Sequence, residues 1–205
     1  MKTIVTMLVV FSLVLGGAYA LYTNLGQTQG TEQLEMLQNP TTPTAAVTQP
    51  PVSTKPDAPT DPTEQAQLNI PDFVVYDREG QEVRLSDFIG KPIVLNFWAS
   101  WCPPCQMEMP DFQEKYLELG DEVTFMIVNM TDGSRETVEI ASAFIQDMGY
   151  TFPVYYDTDM DAAITYSVYS LPTTYFVDAK GNLVAQATGA INAETLQRGI
   201  DLITQ

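Results

Sequence analysis

The chain contains no histidine, and its 205 residues include only two cysteines and nine basic side chains against 26 acidic ones. The lack of histidine excludes Ser-His and Cys-His nucleophilic pairs and removes the commonest ligand of transition metals. The formal net charge of -17 repels phosphate backbones, so nucleic acid is not expected as a partner. The two cysteines are therefore the reactive groups on which a functional interpretation depends.

Cys102 and Cys105 are separated by two residues and follow closely after the apolar run Ile93–Trp98. Two close thiols at the end of a strand and the start of a helix favour a redox-active disulfide over a structural one. A structural zinc site would need two further cysteine or histidine ligands, which the chain lacks. We therefore expect no metal, with a site shared between subunits as the alternative.

Residues 1–23 are predicted to form a signal anchor or a signal peptide. Lys2 precedes an uncharged apolar stretch that is long enough to cross a bilayer, which takes about 20 residues. Ala18-Tyr19-Ala20 is also a pattern that signal peptidase cuts. Apolar residues continue to Tyr22, which favours an uncleaved, single-pass anchor in the cell membrane. The alternative is cleavage near Ala20, which would give a secreted or periplasmic protein. In both cases the remaining chain lies outside the cytoplasm.

Thr, Pro and Gln dominate residues 24–67, where large apolar side chains are sparse. Such a composition cannot offset its ordering entropy, so it predicts a disordered, extended linker. A short helical turn around Glu32–Leu37 is compatible with the sequence. The linker is interpreted either as a spacer that holds a domain away from the membrane or as a neutral connection.

Residues 68–205 predict one α/β domain in which strands and helices alternate. The apolar runs Ile93–Ala99 and Val123–Val128 predict central strands, joined by a helix from Pro103 to about Leu119. Turns at Gly80 and Gly181 predict two hairpins. The remaining predicted elements are helices over 135–148, 162–168 and 193–203 and a strand over 153–156. This order indicates a βαβ unit, an antiparallel hairpin and a last helix on one central mixed sheet flanked by helices.

Asp157–Asp161 has the carboxylate spacing with which a calcium-binding loop begins. Ala162 and Val168 stand where that loop requires glycine and glutamate. The segment is therefore interpreted as a turn that caps a helix, and a calcium site is the alternative.

Cys102 is predicted to lie near the N-cap of the helix, where free backbone N–H groups and the helix dipole favour a thiolate. Cys105 lies one helical turn later, is expected to be more buried, and can resolve a mixed disulfide. Pro103 and Pro104 remove two N–H donors and so tune the redox pair. We therefore expect the pKa of Cys102 to be lowered less than in the strongest oxidants of this type.

The stretch Asn96–Cys105, which reads NFWASWCPPC, resembles the active-site segment of thioredoxin-fold proteins. Together with Leu85–Lys91, Glu108–Pro110 and Leu171–Phe176, it resembles the membrane-anchored, extracytoplasmic thiol-disulfide oxidoreductases of the ResA/TlpA type. A CxxC pair alone is a weak signal, whereas FWASWCPPC followed by LPTT is specific. The resemblance covers the chain from about Leu68. It implies an AhpC/TSA-redoxin-type domain with a thioredoxin-like fold and an added N-terminal β-hairpin.

The resemblance also implies roles for residues near the cysteines. Pro172 matches a cis-proline beside the disulfide, and Leu171, Pro172 and Trp101 would contact the substrate. A trans proline that opens a strand is the alternative. Glu108 matches a glutamate that modulates cysteine ionisation and proton transfer, although a solvated helix carboxylate would also suit that position. Asn96 replaces an aspartate that many cytoplasmic thioredoxins bury, so proton handling is expected from Glu108 or from water.

These observations predict an extracytoplasmic thiol-disulfide oxidoreductase that works through Cys102 and Cys105 without a bound cofactor. The resemblance implies a reductase of disulfides in exported proteins such as apocytochrome c, which would place it in cytochrome c maturation and cell redox homeostasis. It further implies an integral-membrane thiol relay as electron donor. The alternatives are an oxidant that introduces disulfides, a thiol peroxidase on the same fold, and a tethered binding module with an incidental disulfide.

Overall fold

The computed structural model describes residues 34–36 and 70–205. Eight strands in these residues form one sheet. They are β1 (Leu34–Met36), β2 (Val74–Tyr76), β3 (Glu82–Arg84), β4 (Ile93–Trp98), β5 (Thr124–Asn129), β6 (Val154–Tyr156), β7 (Thr173–Val177) and β8 (Leu183–Thr188). The helices are α1 (Pro103–Leu119), α2 (Val138–Met148), α3 (Asp161–Thr165) and α4 (Ala193–Ile203), with a 3-10 helix at Leu85–Phe88.

The strands lie in the order β1-β8-β7-β4-β5-β6-β2-β3. β4, β5 and β6 are parallel, whereas β7 and β8 run antiparallel to β4 on its other side. The hairpin formed by β2 and β3 joins β6 through the pairing of Tyr76 with Tyr156. This arrangement confirms the predicted central mixed sheet and the added N-terminal hairpin.

β4 is buried along its whole length because the sheet has an apolar layer on each face. Val94 and Trp98 belong to the layer on one face, whereas Leu95 and Phe97 belong to the layer on the other. Burying each such side chain stabilises the fold by about 1.5–3 kcal/mol. The predicted continuous apolar strand is thus confirmed, and it gives the segment that follows it a rigid base.

The segment predicted to be a linker contributes β1, which pairs antiparallel with β8 in a register that places Leu34 opposite Ala187. The expectation of a helical turn at this point is wrong. An edge strand such as β8 presents a row of unpaired backbone groups, and an extended segment can satisfy them where a helical turn cannot.

The predicted targeting segment, the rest of the linker and the domain boundary at 67 lie outside the described residues. Within the described part, no helix is long and apolar enough to cross a membrane.

The helix predicted from residue 135 begins three residues later, at Val138. The Asp132 Oδ1 atom accepts hydrogen bonds from the N–H groups of residues 134–136, which holds them in a turn. Thr137 then caps α2 by accepting from the N–H of Ile140. The helix ends, as predicted, at Gly149, whose φ of 71° lies in the left-handed region that glycine favours.

The carboxylates of Asp157–Asp161 form structural hydrogen bonds. Asp157 accepts from the N–H groups of Ala162 and Ala163 at the start of α3, so the predicted helix-capping turn is confirmed. Asp161 accepts from the N–H of Val74, and Asp159 accepts from the Tyr76 hydroxyl. The segment therefore fastens the added hairpin to the domain.

Candidate active site

Cys102 is the N-cap of α1 and follows the carboxyl end of β4 after a short turn. Its N–H donates to the carbonyl oxygen of Ala99 at 3.2 Å, which closes that turn. Its Sγ forms a disulfide with Cys105 and accepts a hydrogen bond from the Cys105 N–H at 3.2 Å. Cys102 is 3% exposed and Cys105 is 0% exposed. The predicted position at the helix N-cap is confirmed.

Pro103 and Pro104 occupy the first two positions of α1. Neither residue has a backbone N–H, so the first N–H of the helix belongs to Cys105. The Cys105 N–H is therefore the helical donor that reaches the sulfur of Cys102. The stabilisation that a helix N-terminus gives to a thiolate is correspondingly limited in this chain.

Trp101 is 38% exposed and lies at the surface directly before Cys102. The Arg135 guanidinium carbon is 3.7 Å from the centroid of the Trp101 ring, a cation-π arrangement. Trp98 is fully buried and packs against Phe144 with 5.7 Å between ring centroids. The structure therefore places Trp98 in the core and leaves Trp101 at the mouth of the site.

The peptide bond between Leu171 and Pro172 is cis, as the resemblance implied. The Pro172 carbonyl oxygen accepts a hydrogen bond from the N–H of Gly189 at 2.9 Å. β7 begins at the next residue, Thr173, which pairs with Phe97 near the carboxyl end of β4. Because Cys102 follows that same end of β4, the cis-proline loop and the disulfide occupy the same edge of the sheet.

Glu108 lies on α1 and is buried, with 2% of its surface exposed. Its Oε1 accepts from the Asn96 Nδ2 at 2.8 Å, and its Oε2 accepts from the Ile191 N–H at 2.9 Å. Burial raises the pKa of Glu108 to about 8, although these two hydrogen bonds oppose the shift. The interpretation of Glu108 as a solvated helix carboxylate is therefore wrong.

Asn96 contacts Glu108 directly, which the sequence did not indicate. Its Nδ2 also donates to the Thr174 Oγ1 at 3.0 Å, so the amide links β4, α1 and β7. An amide does not exchange protons at ordinary pH, whereas a carboxyl group with a pKa of about 8 does so where thiols also titrate. Glu108 is thus the candidate acid-base group of this site.

Glu136 was not singled out by the sequence, yet it is fully buried behind the active-site turn. Its Oε1 accepts from the Ser100 N–H and from the Asn129 Nδ2, both at 2.7 Å. Its Oε2 accepts from the Ser100 hydroxyl at 2.6 Å. Only the predicted topology could have indicated this contact, because loops that follow the carboxyl ends of neighbouring parallel strands meet at one edge of the sheet.

Residues 66–186 match the AhpC/TSA family. The chain belongs to this family. The thiol-disulfide oxidoreductase ResA of Bacillus thuringiensis (strain Al Hakam) is 37% identical over 143 residues, which is 68% of this chain and 79% of that protein. Crystal structures of StoA from Bacillus subtilis and of a DsbF homologue from Corynebacterium diphtheriae are also similar. StoA has a TM-score of 0.56 and 28% identity over 65% of this chain and 98% of its own. The DsbF homologue has a TM-score of 0.57 and 30% identity over 67% of this chain and 88% of its own.

The family match and the site geometry agree on the chemistry. A disulfide joins Cys102, the N-cap of α1, to Cys105 three residues later, with Cα atoms 5.3 Å apart, in the arrangement that thiol-disulfide exchange requires. The AhpC/TSA-family protein is a thiol-disulfide oxidoreductase, and its domain has the thioredoxin-like fold expected from the sequence.

Glu108→Gln is expected to change two pH dependences of the oxidoreductase. Because the pKa of Glu108 is raised from 4.5 to about 8, the folded state holds a proton that the unfolded state releases. The contribution to stability from this group is therefore complete below about pH 4.5 and falls as the pH rises to about 8. In the oxidised Gln variant this fall should be absent from urea unfolding measured at pH 5 and pH 9. In the reduced variant, the pH profile of cysteine alkylation should lose a step near 8.

Glu114→Gln is the matched control, because Glu114 lies on the exposed surface of the same helix. It should leave both pH dependences as they are in the parent protein. If Glu108→Gln gave the same two profiles as the control, Glu108 would have no part in proton handling.

Proposed function

We propose that the oxidoreductase reduces disulfides in exported proteins outside the cytoplasm, with apocytochrome c among its substrates. The observation that carries this proposal is the Cys102–Cys105 disulfide at the start of α1, the helix that also carries the buried carboxyl group of Glu108. The direction of electron flow is supported by Pro103 and Pro104, which limit stabilisation of a Cys102 thiolate. The thiol-disulfide chemistry, though not its direction, is also supported by the similarity to a thiol-disulfide oxidoreductase named ResA.

The proposed reaction begins when the Cys102 thiolate of the reduced enzyme attacks a sulfur of the substrate disulfide. A bond forms between Cys102 and that sulfur, the substrate disulfide breaks, and the departing substrate thiolate takes up a proton. The Cys105 thiolate then attacks the Cys102 sulfur and releases the second substrate thiolate, which is also protonated. The substrate gains two electrons and two protons, and the enzyme is left with its disulfide.

Glu108 is proposed to accept the proton that Cys105 loses in the second step. It lies three residues after Cys105 on α1, a spacing that places the two side chains on one face of a helix. A buried group with a raised pKa is well matched to this task, since its affinity for a proton is close to that of a thiol.

The substrate is proposed to dock in an extended conformation across Trp101 and the backbone of Leu171 and Pro172. Trp101 is partly exposed, and Tyr169, which precedes the cis-proline loop, is 94% exposed. Exposed aromatic rings offer large apolar contact areas to a partner. The net charge of -17 favours neutral or basic partner segments over acidic ones.

The enzyme is proposed to be held at the cell membrane by residues 1–23, with residues 24–67 as a tether and its domain on the extracytoplasmic side. Release after cleavage near Ala20 is the alternative. The reduced state would be restored by an integral-membrane thiol relay, whose dithiol attacks Cys102 and becomes oxidised in turn. No bound cofactor is needed, because the two cysteines carry both electrons.

Cys105→Ser is expected to accumulate mixed disulfides between Cys102 and the physiological substrates. The resolving thiol is absent in this variant, so the intermediate should persist and release its partner only on addition of dithiothreitol. The measurement is non-reducing electrophoresis of whole cells followed by mass spectrometry of the trapped species. Cys102→Ser is the control and should trap none of them, whereas equal trapping by both variants would reject Cys102 as the attacking cysteine.

The reduced enzyme is expected to convert an oxidised CxxCH peptide of apocytochrome c to its dithiol form. One equivalent of enzyme disulfide should appear for each peptide reduced, as measured by quantitative thiol alkylation. An oxidant would instead oxidise the dithiol form of the peptide. A thiol peroxidase, supplied with a reductant, would consume hydrogen peroxide faster than it reduces the peptide. Either result would replace the proposed direction or substrate class.

In intact cells, a membrane-impermeant maleimide is expected to label the cysteine of the Cys105→Ser variant after reduction. Because the chain has only two cysteines, the label in this variant reports Cys102 alone. The protein should also sediment with the membrane fraction. Labelling that requires cell lysis would contradict the extracytoplasmic location, and a mature N-terminus at Leu21 would show that the segment is cleaved.

A further inference from the structure

The structure contains a second buried carboxylate at the active-site edge of the sheet, and the reaction described above does not use it. Glu136 is 0% exposed, and both of its oxygen atoms accept hydrogen bonds. Neither of the two ion pairs found in the described residues includes Glu136. Among the described residues, its charge is therefore balanced by the dipoles of Ser100 and Asn129 and by no cation. Burying a charge in this way has a desolvation cost in free energy.

Glu136 is placed where it can act on the nucleophile through the backbone. Two of its three hydrogen bonds come from Ser100, which lies inside the turn that the Cys102 N–H closes onto Ala99. The third comes from Asn129, the last residue of β5. The carboxylate therefore ties the active-site turn to the neighbouring parallel strand.

Three other ionisable groups lie on α1 and on the loop that contacts Trp101. Glu108 on α1 is buried and has a proton to exchange. In the loop before α2, Arg135 is an exposed residue that stacks on Trp101, and Asp132 is an exposed residue whose Oδ1 accepts hydrogen bonds from backbone N–H groups. Solvent screens Arg135 and Asp132, whereas it cannot screen the charge of Glu136 to the same extent.

We propose that Glu136 is a positioning residue that fixes the Ala99–Cys102 turn and holds a buried negative charge behind it. This charge disfavours a thiolate at Cys102, so the disulfide form is favoured and the dithiol form gives up its electrons readily. The inference rests on the proposed function for the direction of electron flow. It adds a group that biases the cysteine pair toward this direction.

The expected size of the effect follows from the geometry of the turn. Two residues of backbone span at most about 7 Å, and a hydrogen bond adds about 3 Å, so the carboxylate lies on the order of 10 Å from the Cys102 sulfur. At an effective dielectric constant of about 20, a unit charge at this distance changes an ionisation constant by roughly tenfold. Partial screening reduces this value, and we expect an effect of threefold or more.

Glu136→Gln removes the charge and keeps the shape and most of the hydrogen-bonding capacity of the side chain. In the Cys105→Ser background, where Cys102 is the sole thiol, the variant is expected to raise the acid dissociation constant of Cys102 at least threefold. The measurement is the rate of iodoacetamide alkylation as a function of pH. In the two-cysteine protein at pH 9, the equilibrium constant for reduction by glutathione should rise about threefold, which is a potential about 14 mV more positive.

Glu139→Gln is the matched control, because it removes one negative charge from an exposed position three residues away. It should change the dissociation constant of Cys102 by less than Glu136→Gln does. Equal values for the two variants, or no change in either, would overturn the proposal. If Glu136→Gln does not fold, Glu136→Met removes the charge with a side chain of similar size. Failure of both to fold would assign Glu136 a purely structural role and would also overturn it.

These measurements use purified protein and small reagents, so they do not depend on the physiological substrate. If Glu136→Gln shifts the acidity of Cys102 while the parent enzyme fails to reduce the cytochrome peptide, the proposed substrate fails and the role of Glu136 stands. If the peptide is reduced and the acidity is unchanged, the proposed function stands and the role of Glu136 fails.

Discussion

The active-site geometry depends on the hydrogen bond between Asn96 and Glu108. A carboxyl group buried on α1 needs donors, and it obtains one from β4 through Asn96 and one from the Ile191 N–H, which precedes α4. Through its second contact, Asn96 also reaches Thr174 on β7. One polar cluster thus links the strand that leads to the cysteines, the helix that carries them, and the strand that follows the cis-proline. Loss of either partner would leave a buried polar group unsatisfied.

The apolar packing around this cluster explains why a carboxyl group can be held there with an altered affinity for protons. β4 is covered on both faces, so water does not reach Glu108 from the core side. The same burial that stabilises the sheet penalises the ionised form of the carboxyl group and raises its pKa. The burial of β4 therefore contributes both to the stability of the fold and to the raised pKa of Glu108.

The sequence predicted those parts of the structure that depend on local pattern. The apolar run of β4, the helix from Pro103 to Leu119 and the turn at Gly149 follow from periodicity and capping preferences. β1 was missed because its pairing depends on the free edge of β8, about 150 residues later in the chain, and not on its own composition. Glu136 was missed for a related reason, since its two partners, Ser100 and Asn129, belong to separate segments that meet only in the folded protein.

The two buried glutamates differ in what they can contribute to thiol exchange. Glu108 shares the helix of Cys105 and has a pKa at which it can gain and lose a proton. Glu136 contacts the turn before Cys102, where its two oxygen atoms accept three hydrogen bonds from Ser100 and Asn129. One carboxyl group would thus move protons while the other sets a potential. In the proposed mechanism, the charge of Glu136 disfavours an additional negative charge at the Cys102 sulfur, so it acts in the same direction as Pro103 and Pro104. Under the proposed function, this charge and the two prolines favour an enzyme that donates electrons over one that removes them.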